Sequence, residues 1–525
     1  MRNQRKKRWN NAAHIALLLV FYALLLLRNG YVFGGNDHAE VMSYAKSLKD
    51  NSLYFNDLYI KNMSNSVWNE RFLFSKILSF FVGHNFEWLI FGLHAFFSVL
   101  ILGGGFRIAK FFIRHDFWVW TALFFVYIVL GNINLGGNEL YYNSLLAGTI
   151  ATAFCIWSFY YLLKNELALA WVGVACATFF QPLLGVQFFG LFICIQLIIS
   201  FLQKNKNLNQ FYFPFVWLLT AGIYVFYLTK KYNICSENIN GATAWEVMLF
   251  RAPHHYFPTD FGWINYLILM PIFGFGTWFF SREKGREGQI LCCFFALVGL
   301  GALIYTFGVL GLKNKTLMSL QWFSTTIWLE LFSGIALFSF LENQISNIRF
   351  LYFLNAKIFK INVLKIGISF IVISTIYFLM SPNQRLFKSK IYDFPNFEKS
   401  LEVDISEKVK LLTPKNAVFI TPTNTTYFKY FSERSSFVDF KAIAHRCDAI
   451  SEWFDRTKKV YGFERNRRGF AYSTWANEQF LKRDEAFFEN LRAREGVTHV
   501  LAFKNMNLNF SKITENQQFI IYEIK

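Results

Sequence analysis

The chain is interrupted again and again by apolar runs near the length of helix that crosses a hydrocarbon core, about 20 residues for about 30 Å. Eleven are present, approximately 13–33, 86–106, 117–131, 144–163, 166–181, 183–202, 211–228, 263–280, 290–310, 320–340 and 363–380. In lipid every backbone N–H and C=O must be paired within the segment, and a helix achieves that. The expected fold is therefore an α-helical polytopic membrane protein of about 11 transmembrane helices. Only Gln181-Pro182 separates the fifth and sixth runs, so that pair reads as a hairpin or as one broken span, and the count stands at ten to twelve. The first run is long and lacks a small-residue cleavage site after it, so it is expected to remain as the first helix.

Charge orients the array. The balance is +19, with 53 Lys and Arg against 34 Asp and Glu, and in a soluble chain that would suggest nucleic acid. Here much of it sits in short gaps between apolar runs, and only 17% of residues are charged, so nucleic acid is not an expected partner. Short basic loops stay cytoplasmic. Arg2, Arg5, Lys6, Lys7 and Arg8 place the N-terminus inside. Alternation then puts Arg107/Lys110/Arg114, Lys204/Lys206, Arg282/Lys284/Arg286 and Arg349/Lys357/Lys360 on that same side. The outer face receives loops 34–85 and 229–262 and the whole of 381–525, while 1–380 reads as the membrane domain.

The first outer loop reads as short amphipathic helices, Ala39 to Leu48 and Arg71 to Val82, lying on the membrane surface. Beyond Ser381-Pro382 the texture changes to a soluble α/β domain. Val418 to Thr421 and Val497 to Phe503 suit buried strands, Phe519 to Ile524 an edge strand, and Ala449 to Tyr461 and Trp475 to Glu495 helices. Arg434, Arg446, Arg456, Arg465, Arg467 and Arg468, with Trp453 and Trp475, could face an anionic partner or the lipid surface, but read more simply as a solvated face. Cys235 and Cys447 are the two cysteines placed outside, where a disulfide is permitted. No phosphate loop, G-x-S-x-G elbow or H-E-x-x-H helix occurs, which leaves nucleotide-driven pumping and serine or zinc hydrolysis without support.

Three outer-face clusters carry chemistry. Gly34-Gly35-Asn36-Asp37-His38-Ala39-Glu40 follows the first run, and Asp37 is placed to take a proton from an acceptor hydroxyl. The same D-x-x-E spacing also fits a helix cap. Arg251-Ala252-Pro253-His254-His255-Tyr256 offers an arginine fork that matches phosphate oxygens, with His254 or His255 beside it; an interfacial loop anchored by aromatics is the alternative. Glu139 offers a second carboxylate, to orient the acceptor or to bind a divalent cation, or else a solvated interfacial charge. His38, Glu40, Gln181, Tyr256 and Gln321 are further substrate-binding candidates, although Gln181 and Gln321 equally suit backbone freed at helix ends. Glu330, inside an apolar run, is costly to bury and so also stands out, although it equally suits pairing with a nearby helix or a place near the inner boundary.

This layout resembles the GT-C superfamily of integral membrane glycosyltransferases, through its acidic first outer loop, many spans and outer α/β tail. More narrowly it is similar to an uncharacterised bacterial family carrying Asn36-Asp37, Gln181-Pro182-Leu183-Leu184-Gly185, the R-x-P-H-H-Y element at Arg251, and segments around Glu433-Arg434 and Glu452-Trp453. The resemblance implies transfer of a sugar from a polyprenyl-phosphate donor to a hydroxyl of a glycan, lipid or protein acceptor on the extracytoplasmic face. It implies Asp37 as general base and Glu139 as the second acid. There is no D-x-D pair in the second acidic loop and no W-W-D segment in the tail, which disfavours protein N-glycosylation and leaves metal dependence open. The expected site is a bacterial inner membrane, with the C-terminal domain extracytoplasmic. The competing readings are a transporter or flippase of a lipid-linked saccharide and a non-catalytic envelope assembly subunit.

Overall fold

In the computed structural model, residues 2–65, 68–83, 85–131, 133–203, 211–232, 244–347 and 400–524 are described. The run at 363–380, the basic clusters at Lys204/Lys206 and Arg349/Lys357/Lys360, the boundary at Ser381-Pro382, and Cys235 with its suggested bridge to Cys447 lie outside the described residues.

The other ten apolar runs fall on helices. Seven are long and apolar enough to cross a membrane: Ala12–Asn29, Phe86–Ala109, Pro182–Leu202, Tyr212–Lys230, Trp263–Arg282, Arg286–Gly311 and Lys315–Ile345. Asp116–Leu130, Ala147–Leu163 and Leu167–Phe180 are shorter apolar helices. The break at Gln181-Pro182 makes a hairpin, since Trp171 meets Phe189 and Phe192 across it at ring distances of 5.7 and 6.1 Å. The corner is tight: a Cβ at Gly185 would lie 2.1 Å from Thr178 Oγ1, so only glycine fits.

The chain divides into two compact units. Unit 1 comprises Met1–Tyr31, Phe91–Ile223 and Phe257–Tyr392. Its most enclosed candidate span is Lys315–Ile345, helical pieces that break at Gln321, with 78% of the apolar stretch buried against 22% for Ala12–Asn29. Large apolar side chains such as Leu19, Phe96, Val172 and Leu303 stay exposed on the helices, a surface that only lipid covers at low cost. Polar contacts gather where the expected cytoplasmic residues lie. Asp116 pairs with His14 and Lys110, each at 3.0 Å, and Glu342 accepts from the Arg114 and His115 amides at 2.9 and 2.8 Å.

Unit 2 comprises Val32–Ile90, Tyr224–Tyr256 and Asp393–Lys525, so the first long loop and the described part of the second up to Tyr256 group with the C-terminal segment. Its sheet runs in the order β2-β1-β3-β5-β4, with β1 Val418–Ile420, β2 Ser435–Ser436, β3 His499–Phe503, β4 Ser511–Glu515 and β5 Phe519–Glu523. Strands β2, β1 and β3 are parallel, and β5 is antiparallel to both β3 and β4. Ile405, Val409, Phe419, Phe428, Leu501 and Ile521 form the core beneath it. A second core joins first-loop residues Tyr44, Leu53, Tyr54, Tyr59 and Ile60 to Ala442, Ala444 and Ala449.

Four expectations are corrected within unit 2. The Phe519 strand is interior, because four of its five residues are buried, and the polar β4 takes the edge. Trp475 to Glu495 is two helices, Gly469–Phe480 and Glu485–Glu495, because the Asp484 side chain caps the second by accepting from the Phe487 amide at 3.0 Å. Arg434 belongs to no solvated face: it is 4% exposed and donates to the carbonyls of Lys410 and Thr413, each at 2.7 Å. The first-loop helix Asp37–Lys49 is enclosed by protein, with nine of its 13 residues buried, and so is not laid on a membrane surface. The Phe72–Ser79 helix does keep Ile77 exposed, followed by exposed Phe80 and Phe81.

Candidate functional site

The first site segment is shaped by glycine. A Cβ at Gly34 would meet Phe431 at 2.6 Å and one at Gly35 would meet Tyr427 at 2.5 Å, so the chain passes these aromatics only without side chains. Asn36 then sits at φ 52° with no side-chain cap, and Asp37 becomes the first residue of the helix. The D-x-x-E capping box is therefore absent. Instead Asp37 Oδ1 lies 2.9 Å from Lys441 Nζ, with 46% of the aspartate side chain still accessible. A helix N-terminus also favours its negative charge. His38 turns inward, fully buried, where its Nδ1 accepts from the Gly34 amide at 3.3 Å and its ring packs edge-on against Phe33.

Arg251 ends the Ala244–Arg251 helix. The residue before it, Phe250, is 5% exposed and packs against Tyr472, Phe463 and Phe454 at ring distances of 4.3, 5.4 and 5.6 Å. So anchored, Arg251 donates from Nη2 to the Lys441 carbonyl. Its Nε is buried with no hydrogen-bond partner in the described residues. Lys441 is thus gripped on three sides: its amide donates to Asp439 Oδ1 at 2.8 Å, its carbonyl accepts from Arg251, and its ammonium meets Asp37. The acid of the first loop and the arginine of the second converge on one residue of the tail.

Further charges surround that meeting point. Glu40 is 4% exposed and its Oε2 lies 3.4 Å from Arg71 Nη2. Glu70 Oε1 lies 3.3 Å from His445 Nδ1. Burial acts to raise the Asp37 carboxyl, but Lys441, helped by Arg71 and His255, holds it below its ordinary value. Burial prevails at Glu40, where the Asp37 charge adds to it, and that carboxyl is raised despite Arg71, Arg251 and His445. Burial also acts to raise Glu70, yet His445 and Arg71 hold it down. The two neighbouring acids Asp37 and Glu40 are thus pushed in opposite directions, Asp37 toward its ionised form and Glu40 away from it.

Of the sequence candidates, Asp37, His38, Glu40, Arg251, His254, His255 and Tyr256 all belong to unit 2. The rings of His254 and His255 lie 4.2 Å apart, His254 also stacks on Phe470 at 5.7 Å, and Tyr256 is buried. Glu139, Gln181 and Gln321 belong to unit 1. There burial raises Glu139 to about 7, with Arg28 opposing. Gln181 joins the two helices of the hairpin. Gln321 adopts a left-handed conformation, and its carbonyl accepts from buried Gln187 at 3.4 Å. Glu330 is 4% exposed, and its Oε1 has no hydrogen-bond partner in the described residues. Sequence reasoning missed Lys441, Glu70, Arg71 as an ion-pair partner, and His445. The described residues contain no group of three or more His, Cys, Asp or Glu able to hold a metal ion.

A family described as "Domain of unknown function (DUF6798)" matches residues 402–460, the stretch that includes Lys429, Asp439 and Lys441. No curated protein matches the chain. Among solved structures, the fold is similar to ArnT from Cupriavidus metallidurans bound to undecaprenyl phosphate, at 12% identity and a TM-score of 0.49 over 98% of each chain. It is similar to the same protein in its apo state at 11% identity, with the same TM-score and coverage. Neither likeness assigns a residue role here.

Proposed function

We propose that the chain is a membrane glycosyltransferase of the GT-C type in a bacterial inner membrane. It moves a sugar from a polyprenyl-phosphate donor to an acceptor hydroxyl on the extracytoplasmic face, where unit 2 then lies. The observation that carries this reading is the convergence of Asp37 and Arg251 on Lys441. In the reaction the acceptor O–H gives its proton to Asp37 as its oxygen bonds to the sugar's anomeric carbon. The bond from that carbon to the phosphate oxygen breaks, and polyprenyl phosphate leaves with the negative charge. Arg251, with His254 or His255, takes that charge, an electrostatic role that counts most as the charge develops. Arg251 Nε is a buried donor left without a partner in the described residues, which costs about 1–3 kcal/mol, so a small shift of the guanidinium that brings a phosphate oxygen to it would recover that cost.

Purified protein in liposomes, given a panel of polyprenyl-phosphate sugars and envelope polymers, tests this. Release of polyprenyl phosphate matched by sugar mass on an acceptor is expected. Intact donor carried across the bilayer without cleavage contradicts the reading and favours transport. The pH profile gives a second check. Wild-type transfer is expected to keep its acid limb below the ordinary carboxylate range, because the cations around Asp37 favour its ionised form. Lys441→Met removes the largest of them, so the Asp37 pKa rises and the limb moves to higher pH; a limb that stays or moves lower contradicts the assignment.

A further inference from the structure

Unit 2 carries a groove of about 390 Å³ that the reaction above does not use. Asn424, Ser473, Asn477, Glu478, Phe503 and Asn505 contribute to its lining. Its position follows from topology. Strand β1 lies between β2 and β3, all three parallel, so the chain leaves β1 toward one side and later places β3 on the other. In an open parallel sheet that reversal of strand order leaves a crevice at the carboxyl ends, where ligands bind. Asn424 lies just past β1 and Asn505 just past β3, and the Gly469–Phe480 helix supplies Ser473, Asn477 and Glu478.

The chemistry of the lining is specific. No lysine or arginine lines the groove, and the turn after β1 reads Thr421-Pro422-Thr423-Asn424, without the glycines that let a backbone cradle phosphate. Amides, hydroxyls and one carboxylate remain, with two apolar side chains, Leu481 and the Phe503 ring, the latter half-buried and stacked on Phe519 at 5.8 Å. One amide is held in place. Asn477 Oδ1 accepts from the Thr423 amide at 2.8 Å and lies 2.9 Å from the Thr423 hydroxyl. A backbone N–H must meet an acceptor, so the oxygen is identified and the two amide hydrogens are left for the groove. The side chains of Asn424, Glu478 and Asn505 make no hydrogen bond or ion pair within the described residues. Paired donors and acceptors beside apolar side chains match the vicinal hydroxyls and C–H surface of a sugar, and a pre-set amide lowers the ordering cost of binding.

We infer that this groove is a binding site for an uncharged oligosaccharide, which on the reading of the protein as a glycosyltransferase is the acceptor glycan. Full-length protein in nanodiscs is titrated with chitohexaose, maltohexaose and mannohexaose, and with mannose 6-phosphate as the charged comparison. Saturable binding of at least one neutral oligosaccharide is expected, weakened about tenfold in an Asn424→Ala/Asn505→Ala variant, which removes surface side chains and no internal hydrogen bond. The inference is overturned if none of the three binds, if the double variant binds as well as wild type, or if the phosphorylated sugar is preferred. Asp37→Asn protein must bind the glycan like wild type. Glycan binding without any release of polyprenyl phosphate contradicts the transfer reading alone, and transfer without glycan binding contradicts the groove alone.

Discussion

Replacing Asp37 by Asn lowers sugar transfer about 10²- to 10⁴-fold, the range a positioned general base contributes. The substitution keeps the shape of the side chain and its place at the head of the Asp37–Lys49 helix. It removes the charge that meets Lys441 at 2.9 Å and the capacity to accept a proton. With nearly half of the side chain open, the Lys441 pair adds little to stability, so yield and thermal midpoint stay close to wild type. Transfer rates and thermal unfolding of the same preparation check both halves. Activity within a few-fold of wild type removes Asp37 as the base. A large drop in midpoint means the residue is structural.

The second large effect is on stability. Lys429 is 2% exposed and lies 3.2 Å from Asp57 and 3.3 Å from Asp439, themselves 0% and 11% exposed. Both acids also hold backbone: Asp57 accepts from the Ile60 and Ser436 amides, and Asp439 from those of Lys441 and Ala442. Burial opposes the ammonium, yet the two carboxylates raise its pKa above the ordinary value, so the cation is the stable form. Lys429→Met leaves two buried carboxylates with no counter-charge, which costs about 3–5 kcal/mol. Unfolding of unit 2, followed by denaturant titration or limited proteolysis, measures it. Neutralising the acids together with the lysine, as Asp57→Asn/Lys429→Met/Asp439→Asn, recovers much of the loss. A single-variant change below about 1 kcal/mol, the level of a surface pair, contradicts this account of the network.

The helical array is readable from residues because a run of about 20 apolar side chains has few alternatives in lipid. Asp37 and Arg251 stood out for similar reasons, one as an acid directly after an apolar run, the other beside prolines and histidines that suit a ligand loop. What periodicity does not carry is which distant loop packs on which domain. Lys441 lies in Phe440-Lys441-Ala442-Ile443-Ala444 and reads as an ordinary surface charge, yet three separate hydrogen-bonding partners make it the meeting point. Asp57, Lys429 and Asp439 are three isolated charges in sequence, and only folding makes them one network. The capping reading of Asp37 failed for a non-local reason, the aromatic rings of Tyr427 and Phe431 that force glycine at positions 34 and 35. The edge assignment of β5 failed because β4, Ser511-Lys512-Ile513-Thr514-Glu515, carries only one apolar residue and gives no strand signal, although it covers the outer side of β5.

Affinity for a labelled polyprenyl phosphate, measured in nanodiscs for wild type, Asp37→Asn and Arg251→Ala, tests most directly that an acid and a phosphate cradle share one centre. It needs no knowledge of the sugar. Arg251→Ala is expected to weaken binding about 10- to 100-fold, as the loss of a charge-assisted hydrogen bond does, while Asp37→Asn binds as tightly as wild type or tighter because a nearby negative charge is gone. Equal affinity in all three proteins, or a loss confined to Asp37→Asn, contradicts the account.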